Sequence, residues 1–218
     1  NLGEAYLRQG KYRIALMQLK KAEEMFPSDH ILQDDLGLAY LYLKEPDQAI
    51  LHFKRALEIK DNYTPARNNL GNAYAEKKEW DKAIEQYKMV TLDLLYGTPQ
   101  FPLSNLGVVY YELKEYELSA QYYLKALDIN PEFVQALYGL AKTYMEMDRV
   151  PDAIVKLQTA VGISPDSAVL HFELARAYAL DRQYTKALNA YHKVAEINPS
   201  STLADRALIE ARKIKNRK

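Results

Sequence analysis

Four histidines, His30, His52, His171 and His192, are the side chains best suited to acid–base or metal chemistry at neutral pH, because imidazole titrates closest to it. No His-Glu-x-x-His segment brings two of them onto one helix face around a zinc ion. The chain has no cysteine, which removes disulfides, thiolate zinc sites and thiol nucleophiles together. It has neither a glycine-rich phosphate loop nor a Gly-x-Ser-x-Gly elbow, so the residue sets that cradle phosphate or activate a serine are also missing. Carboxylates are plentiful, but they fall at helix-turn positions where a solvated surface is their ordinary role. The expectation is a protein without catalytic activity, cofactor or metal site.

The elements that would have to position any site are laid out by an internal repeat. Leu-Gly or Leu-Ala pairs begin at Leu2, Leu36, Leu70, Leu106, Leu140 and Leu174, at spacings of 34, 34, 36, 34 and 34. Four residues after each leucine stands a tyrosine: Tyr6, Tyr40, Tyr74, Tyr110, Tyr144 and Tyr178. A small residue follows at Ala15, Ala49, Ala83, Ser119, Ala153 and Ala187, then a large one at Leu19, Phe53, Tyr87, Tyr123, Leu157 and Tyr191. Pro27, Pro131, Pro165 and Pro199 close four of the six repeats. Within a repeat the apolar residues recur at three- and four-residue steps in two blocks, the pattern of two amphipathic helices. Gly10 and the pairs Lys44-Glu45, Lys78-Glu79 and Lys114-Glu115 stand where the blocks meet and read as short turns. A single pair of helices cannot bury its apolar face, whereas stacked pairs can.

This register resembles the tetratricopeptide repeat (TPR), over essentially the whole chain. The resemblance implies an all-α fold, a right-handed superhelical solenoid of six helix pairs forming a single array. Its repeats would span about 1–29, 30–63, 64–99, 100–133, 134–167 and 168–201, followed by a capping helix at 202–215 that covers the last apolar face. Composition agrees with a folded protein that spans no membrane: 48% hydrophobic and 27% charged, with its longest uncharged apolar run only from Leu36 to Leu43. Lys plus Arg equals Asp plus Glu at 29 each, so net charge gives no reason to expect a polyanion. Most of the 18 tyrosines occupy packing positions of the repeat, which argues against stacking on nucleic acid. Any signal sequence or lipid-attachment segment would lie upstream of Asn1.

In the TPR family the first helix of each pair lines a concave face on which partner peptides lie. Carried over by register, that face offers Asp34, Leu38, Leu41 and Tyr42 from the second repeat and Asn68, Asn69 and Asn72 from the third. Asn105, Val108 and Tyr111 come from the fourth, Tyr138 and Lys142 from the fifth, and Phe172 and Arg176 from the sixth. The asparagines Asn69, Asn72 and Asn105 admit two readings: amides that pair with the backbone of an extended ligand, or amides that tie neighbouring helices together. The aromatic and apolar side chains on either side could take anchor residues of a partner. The Lys/Asn set with which some TPR domains clamp a terminal carboxylate is matched only in part, by Asn72 and Asn105.

Between the third and fourth repeats the spacing lengthens to 36, across "DLLYGTPQFP". The apolar pattern predicts a second helix running from Asp81 to Leu95, a turn at Tyr96–Pro99 with Thr98 as cap, and Pro99 in the next first turn. The combination Leu95-Tyr96-x-Thr98-Pro99 before Asn105-Leu106-Gly107 is similar to the pilotin-type TPR lipoproteins of type IV pilus biogenesis. That resemblance implies a periplasmic protein at the inner face of the outer membrane. It would assist assembly of a secretin or another pilus component and would be anchored by a lipid upstream of this sequence. A general adaptor of another bacterial complex, cytoplasmic or periplasmic, is the alternative reading.

Overall fold

The computed structural model describes residues 2–93 and 95–216. Among these the chain forms thirteen helices and no strand: α1 (Leu2–Arg8), α2 (Tyr12–Met25), α3 (His30–Tyr42), α4 (Pro46–Ile59), α5 (Thr64–Glu76), α6 (Trp80–Thr91), α7 (Gln100–Glu112), α8 (Tyr116–Ile129), α9 (Val134–Glu146), α10 (Val150–Ile163), α11 (Ala168–Leu180), α12 (Tyr184–Ile197) and α13 (Thr202–Lys215). The chain divides into two compact units, 1–105 and 106–218, with the division inside α7. In the first, α3 packs on α1, α2, α4 and α5, and α5 on α4 and α6. In the second, consecutive helices from α8 to α13 pack on one another, and α13 also reaches α11.

The turn inside each pair is built the same way six times. The amide of the residue three past the helix donates to the carbonyl of the repeat's tyrosine: Lys11 to Tyr6, Glu45 to Tyr40, Glu79 to Tyr74, Glu115 to Tyr110, Arg149 to Tyr144 and Gln183 to Tyr178, all at 2.8–3.0 Å. The residue before it bonds one step further along, as Lys44 N–H does to Leu41 at 3.0 Å. This is the Schellman arrangement, and it requires a left-handed residue at the corner. Gly10 fills that role in the first repeat at φ 71°, while Lys44, Lys78, Lys114, Asp148 and Arg182 fill it in the others at φ 58–64°. Five non-glycine residues thus carry the steric cost of the left-handed region, each of order 1 kcal/mol.

Pairs close by inserting a large side chain against a small one. A Cβ built on Gly37 would stand 2.4 Å from the Phe53 ring, and one on Gly71 would stand 2.6 Å from that of Tyr87. Ala15, Ala49, Ala83, Ser119, Ala153 and Ala187 are all buried at the opposing position. Ser119 keeps its hydroxyl satisfied there by donating to the Gly107 carbonyl at 2.8 Å.

The expected extension of α6 does not occur. The helix ends at Thr91, so the helix expected through Leu95 stops short at residue 92, with Leu94 outside the described residues. The reason is Asp93, whose carboxylate accepts the Leu95 amide at 3.0 Å and also bonds the Thr64 hydroxyl of α5. These bonds offer the chain a turn in place of further helix, and they leave Leu92 and Leu95 exposed. Pro99 sits just ahead of α7, accepting the Leu103 amide at 3.4 Å, and the Thr98 carbonyl accepts the Phe101 amide at 3.2 Å.

Candidate partner-binding face of the first helices

The histidines do not converge. His52 is buried in the first unit, its Nδ1 2.8 Å from the Gln33 Oε1, and burial lowers its pKa, so it serves as a neutral bridge between α3 and α4. Gln33 in turn donates to Glu23 of α2 at 3.0 Å. His30 packs edge-on to Tyr63, and His171 approaches the Pro165 carbonyl at 2.9 Å. Among the described residues no cluster of three metal-ligating side chains forms.

In the first unit the polar side chains of the face are largely tied down. Asp34 is 6% exposed and accepts from the Asn69 amide at 3.0 Å, which links α3 to α5. Burial pushes Asp34 up to about 7, despite the Asn69 hydrogen bond, and the adjacent Asp35 adds to the effect. Asp35 itself is raised to about 6, chiefly by burial. Asn68 is buried too, so neither Asp34 nor Asn68 presents an open side chain to a ligand. Asn72 Oδ1 accepts twice, from the Tyr87 hydroxyl at 2.7 Å and from the Asn105 amide at 2.9 Å. Both lone pairs of that oxygen are therefore used in joining α5 to α6 and α7. The helix-tying reading of the asparagines is the one these contacts display. Leu38 and Leu41 are half-buried, while Tyr42 is half-exposed and stacks on Tyr12 with ring centroids 4.6 Å apart.

The second unit differs at the matching positions. Where the third repeat has Asn72 and Tyr87, the fourth has Val108 and Tyr123, and the residue matching Asn105 is Gly139. Tyr123 lies so close over Gly139 that a Cβ there would be 2.3 Å from the ring. Its hydroxyl finds no hydrogen-bond partner among the described residues, and it borders a cavity of about 210 Å³ with Val108, Tyr111, Tyr138 and Lys142. The Lys142 ammonium lies 4.7 Å from the Tyr111 ring centroid and 5.8 Å from that of Tyr138, within cation–π range.

A second cleft, of about 420 Å³, is lined by Phe172 and Arg176 of α11, Tyr191 of α12, and Arg206, Ile209 and Glu210 of α13. Phe172 itself is buried, meeting Tyr191 edge-on at 5.6 Å. Sequence reasoning passed over the residues from α12 and α13, because α13 was read only as a cap. The signal was present: Leu208 follows Leu174 by 34 residues, which places α13 in the register of a seventh first helix and Arg206 in register with Phe172.

Six helix pairs with a shared tyrosine-capped turn and a small-against-large seam define an array of tetratricopeptide repeats. Models of the tetratricopeptide repeat match residues 1–64, 40–94, 102–133, 122–155 and 168–201, and the chain belongs to that family. Among solved structures it is similar to PilW, described as a widely conserved type IV pilus biogenesis factor. That match has a TM-score of 0.83 and 23% identity, covering 95% of each chain. It is also similar to PilF of Pseudomonas aeruginosa, with a TM-score of 0.81 and 21% identity, covering 96% of this chain and 94% of that one. YrrB, a TPR protein with an unusual peptide-binding site, superposes at a TM-score of 0.62 and 21% identity over 87% of this chain and 96% of YrrB. A curated relative, anaphase-promoting complex subunit 3 of Schizosaccharomyces pombe, is 29% identical over 47% of this chain, which spans only 17% of that protein's length. No helix among the described residues is long and apolar enough to cross a membrane.

Proposed function

We propose that this protein is a non-catalytic scaffold of type IV pilus biogenesis that binds a segment of a partner along its first helices and assists assembly of the outer-membrane secretin. On this reading it works at the periplasmic face of the outer membrane. The observation that carries the reading is the extent of the likeness to PilF and PilW, which runs over at least 94% of both chains in each comparison. The likeness to MamA covers 76–79% of this chain, at TM-scores of 0.64–0.68. Fold alone does not assign a role in an array so widely reused. What supports a binding role is the set of apolar and aromatic side chains left accessible on the first helices, Tyr42 and Val108 among them.

The test is genetic and biochemical. Deleting the gene should leave the secretin monomeric or mislocalised, and the native chain should restore heat-stable multimers. A chain carrying Tyr42→Glu and Val108→Glu, both at exposed positions, should fold yet fail to restore them. Normal multimers in the deletion strain would reject the pilus role. Full rescue by the double variant would move the binding surface elsewhere.

A further inference from the structure

The cleft between α11, α12 and α13 has a chemistry of its own. Its two carboxylates are already matched: Glu173, beside it, receives Arg176 Nη1 at 2.7 Å, and Glu210 receives Lys213 Nζ at 2.7 Å. Arg206 is exposed and forms no ion pair among the described residues. Its guanidinium lies 5.2 Å from the Phe172 ring centroid. A cation–π contact of that kind holds the guanidinium against the ring without committing its N–H donors to an ion pair. Tyr191 is 2% exposed, yet its hydroxyl has no hydrogen-bond partner among the described residues. That hydroxyl is not among the fully buried polar atoms left without a partner, so it opens onto the cleft, where water or a ligand oxygen can accept from it. Ile209 is 49% exposed and lies three residues along α13 from Arg206, hence on the same helix face.

The cleft therefore offers a guanidinium fork and a phenol hydroxyl as donors, no uncommitted acceptor, and an adjacent apolar patch. A planar monoanion with two acceptor oxygens matches the fork. A dianion such as a phosphate is disfavoured by Glu173 and Glu210 nearby. We propose that this cleft is a docking site for an acidic side chain, Asp or Glu, within an extended partner segment. Arg206 and the Tyr191 hydroxyl take its carboxylate, and a neighbouring apolar side chain covers Ile209. The inference rests on the scaffold reading and names the partner chemistry at one place on it.

The test uses the 218-residue chain, isotopically labelled, and two blocked peptides, acetyl-Gly-Ser-Leu-Glu-Leu-Ser-Gly-amide and its Gln counterpart. The Glu peptide should shift the Arg206 Nε–H resonance and bind about ten-fold more tightly than the Gln peptide, a difference that shrinks as salt is raised. Arg206→Gln, at an exposed position that leaves the fold intact, should erase the preference. Equal binding of the two peptides, or a preference that survives Arg206→Gln, overturns the proposal. So does tighter binding of an unblocked Gln peptide, which would assign the site to chain termini. Shifts confined to α3 and α5 overturn it while leaving the scaffold reading standing, and the secretin assay tests that reading separately.

Discussion

Tyr87 and Tyr123 stand at the same register position of consecutive repeats, each wedged against a glycine of its own first helix, yet their hydroxyls meet opposite fates. That of Tyr87 is sealed by Asn72, which also takes the amide of Asn105. Around Tyr123 the same two positions carry Val108 and Gly139, and a cavity opens in place of the amide network. The comparison separates two layers of information in the repeat. The seam residues hold each pair together and tolerate little variation, whereas the face positions two residues to either side vary freely. Asn72, Val108, Lys142 and Arg176 share one such position, and each gives its stretch of face a different chemistry.

The contrast can be broken most forcefully at its floor. Gly139→Ala should cost about 2–3 kcal/mol in urea unfolding, because the new methyl overlaps the Tyr123 ring. Adding Tyr123→Leu, the residue type already present at Leu157, should recover most of the loss. A Gly139→Ala variant as stable as the native chain would mean that the ring is not held where the seam places it.

On the sealed side, burial gives the first unit a pH dependence. Asp34 binds its proton more tightly folded than unfolded, so the stability linked to its neutral form is fully present below about pH 4. It is lost as pH rises through about 7, and Asp35 acts in the same sense up to about 6. The unfolding midpoint should therefore fall between pH 5 and pH 8. Asp34→Asn, which keeps an oxygen for Asn69, should flatten that fall and stabilise the protein at pH 8 by on the order of 2 kcal/mol. A native profile flat across this range would show that Asp34 reaches water.

The smallest effect tests whether one site can be turned into the other. Val108→Asn should place an acceptor near the Tyr123 hydroxyl, narrow the cavity and add about 1 kcal/mol of stability. Partner binding through that cavity should weaken at the same time. A stability gain without any loss of binding would assign the cavity to packing alone.

Much of this architecture could be read from particular residues. Six leucine–tyrosine steps located the helix pairs, because a 34-residue register leaves little freedom in where the seams fall. The corner residues Lys44, Lys78 and Lys114 were recognisable as turn sites, though their left-handed backbone follows from the bonds to the tyrosine carbonyls rather than from residue type. The end of α6 was misread because Leu92 and Leu95 continue the apolar pattern, whereas the bond from Asp93 to Thr64 spans 29 residues and has no local signature. Asp34 and Asn68 were assigned to the open face because register specifies direction and not depth; the neighbouring α5 and α7 decide how much of a side chain water can reach. Arg206 was missed for a simpler reason, in that a helix read as an ending was not compared with the helices it continues.

The interval between α6 and α7 carries one more consequence, for how the gene itself could be handled. It is the longest interval between consecutive helices, it exposes Leu95 almost completely at 95%, and whole helix pairs lie on both sides of it. Because repeats draw their stability from immediate neighbours, an open reading frame divided at the Leu95 codon would leave no helix among the described residues cut in two. The two halves could be expressed as separate polypeptides, tagged independently, or exchanged with the matching halves of a relative.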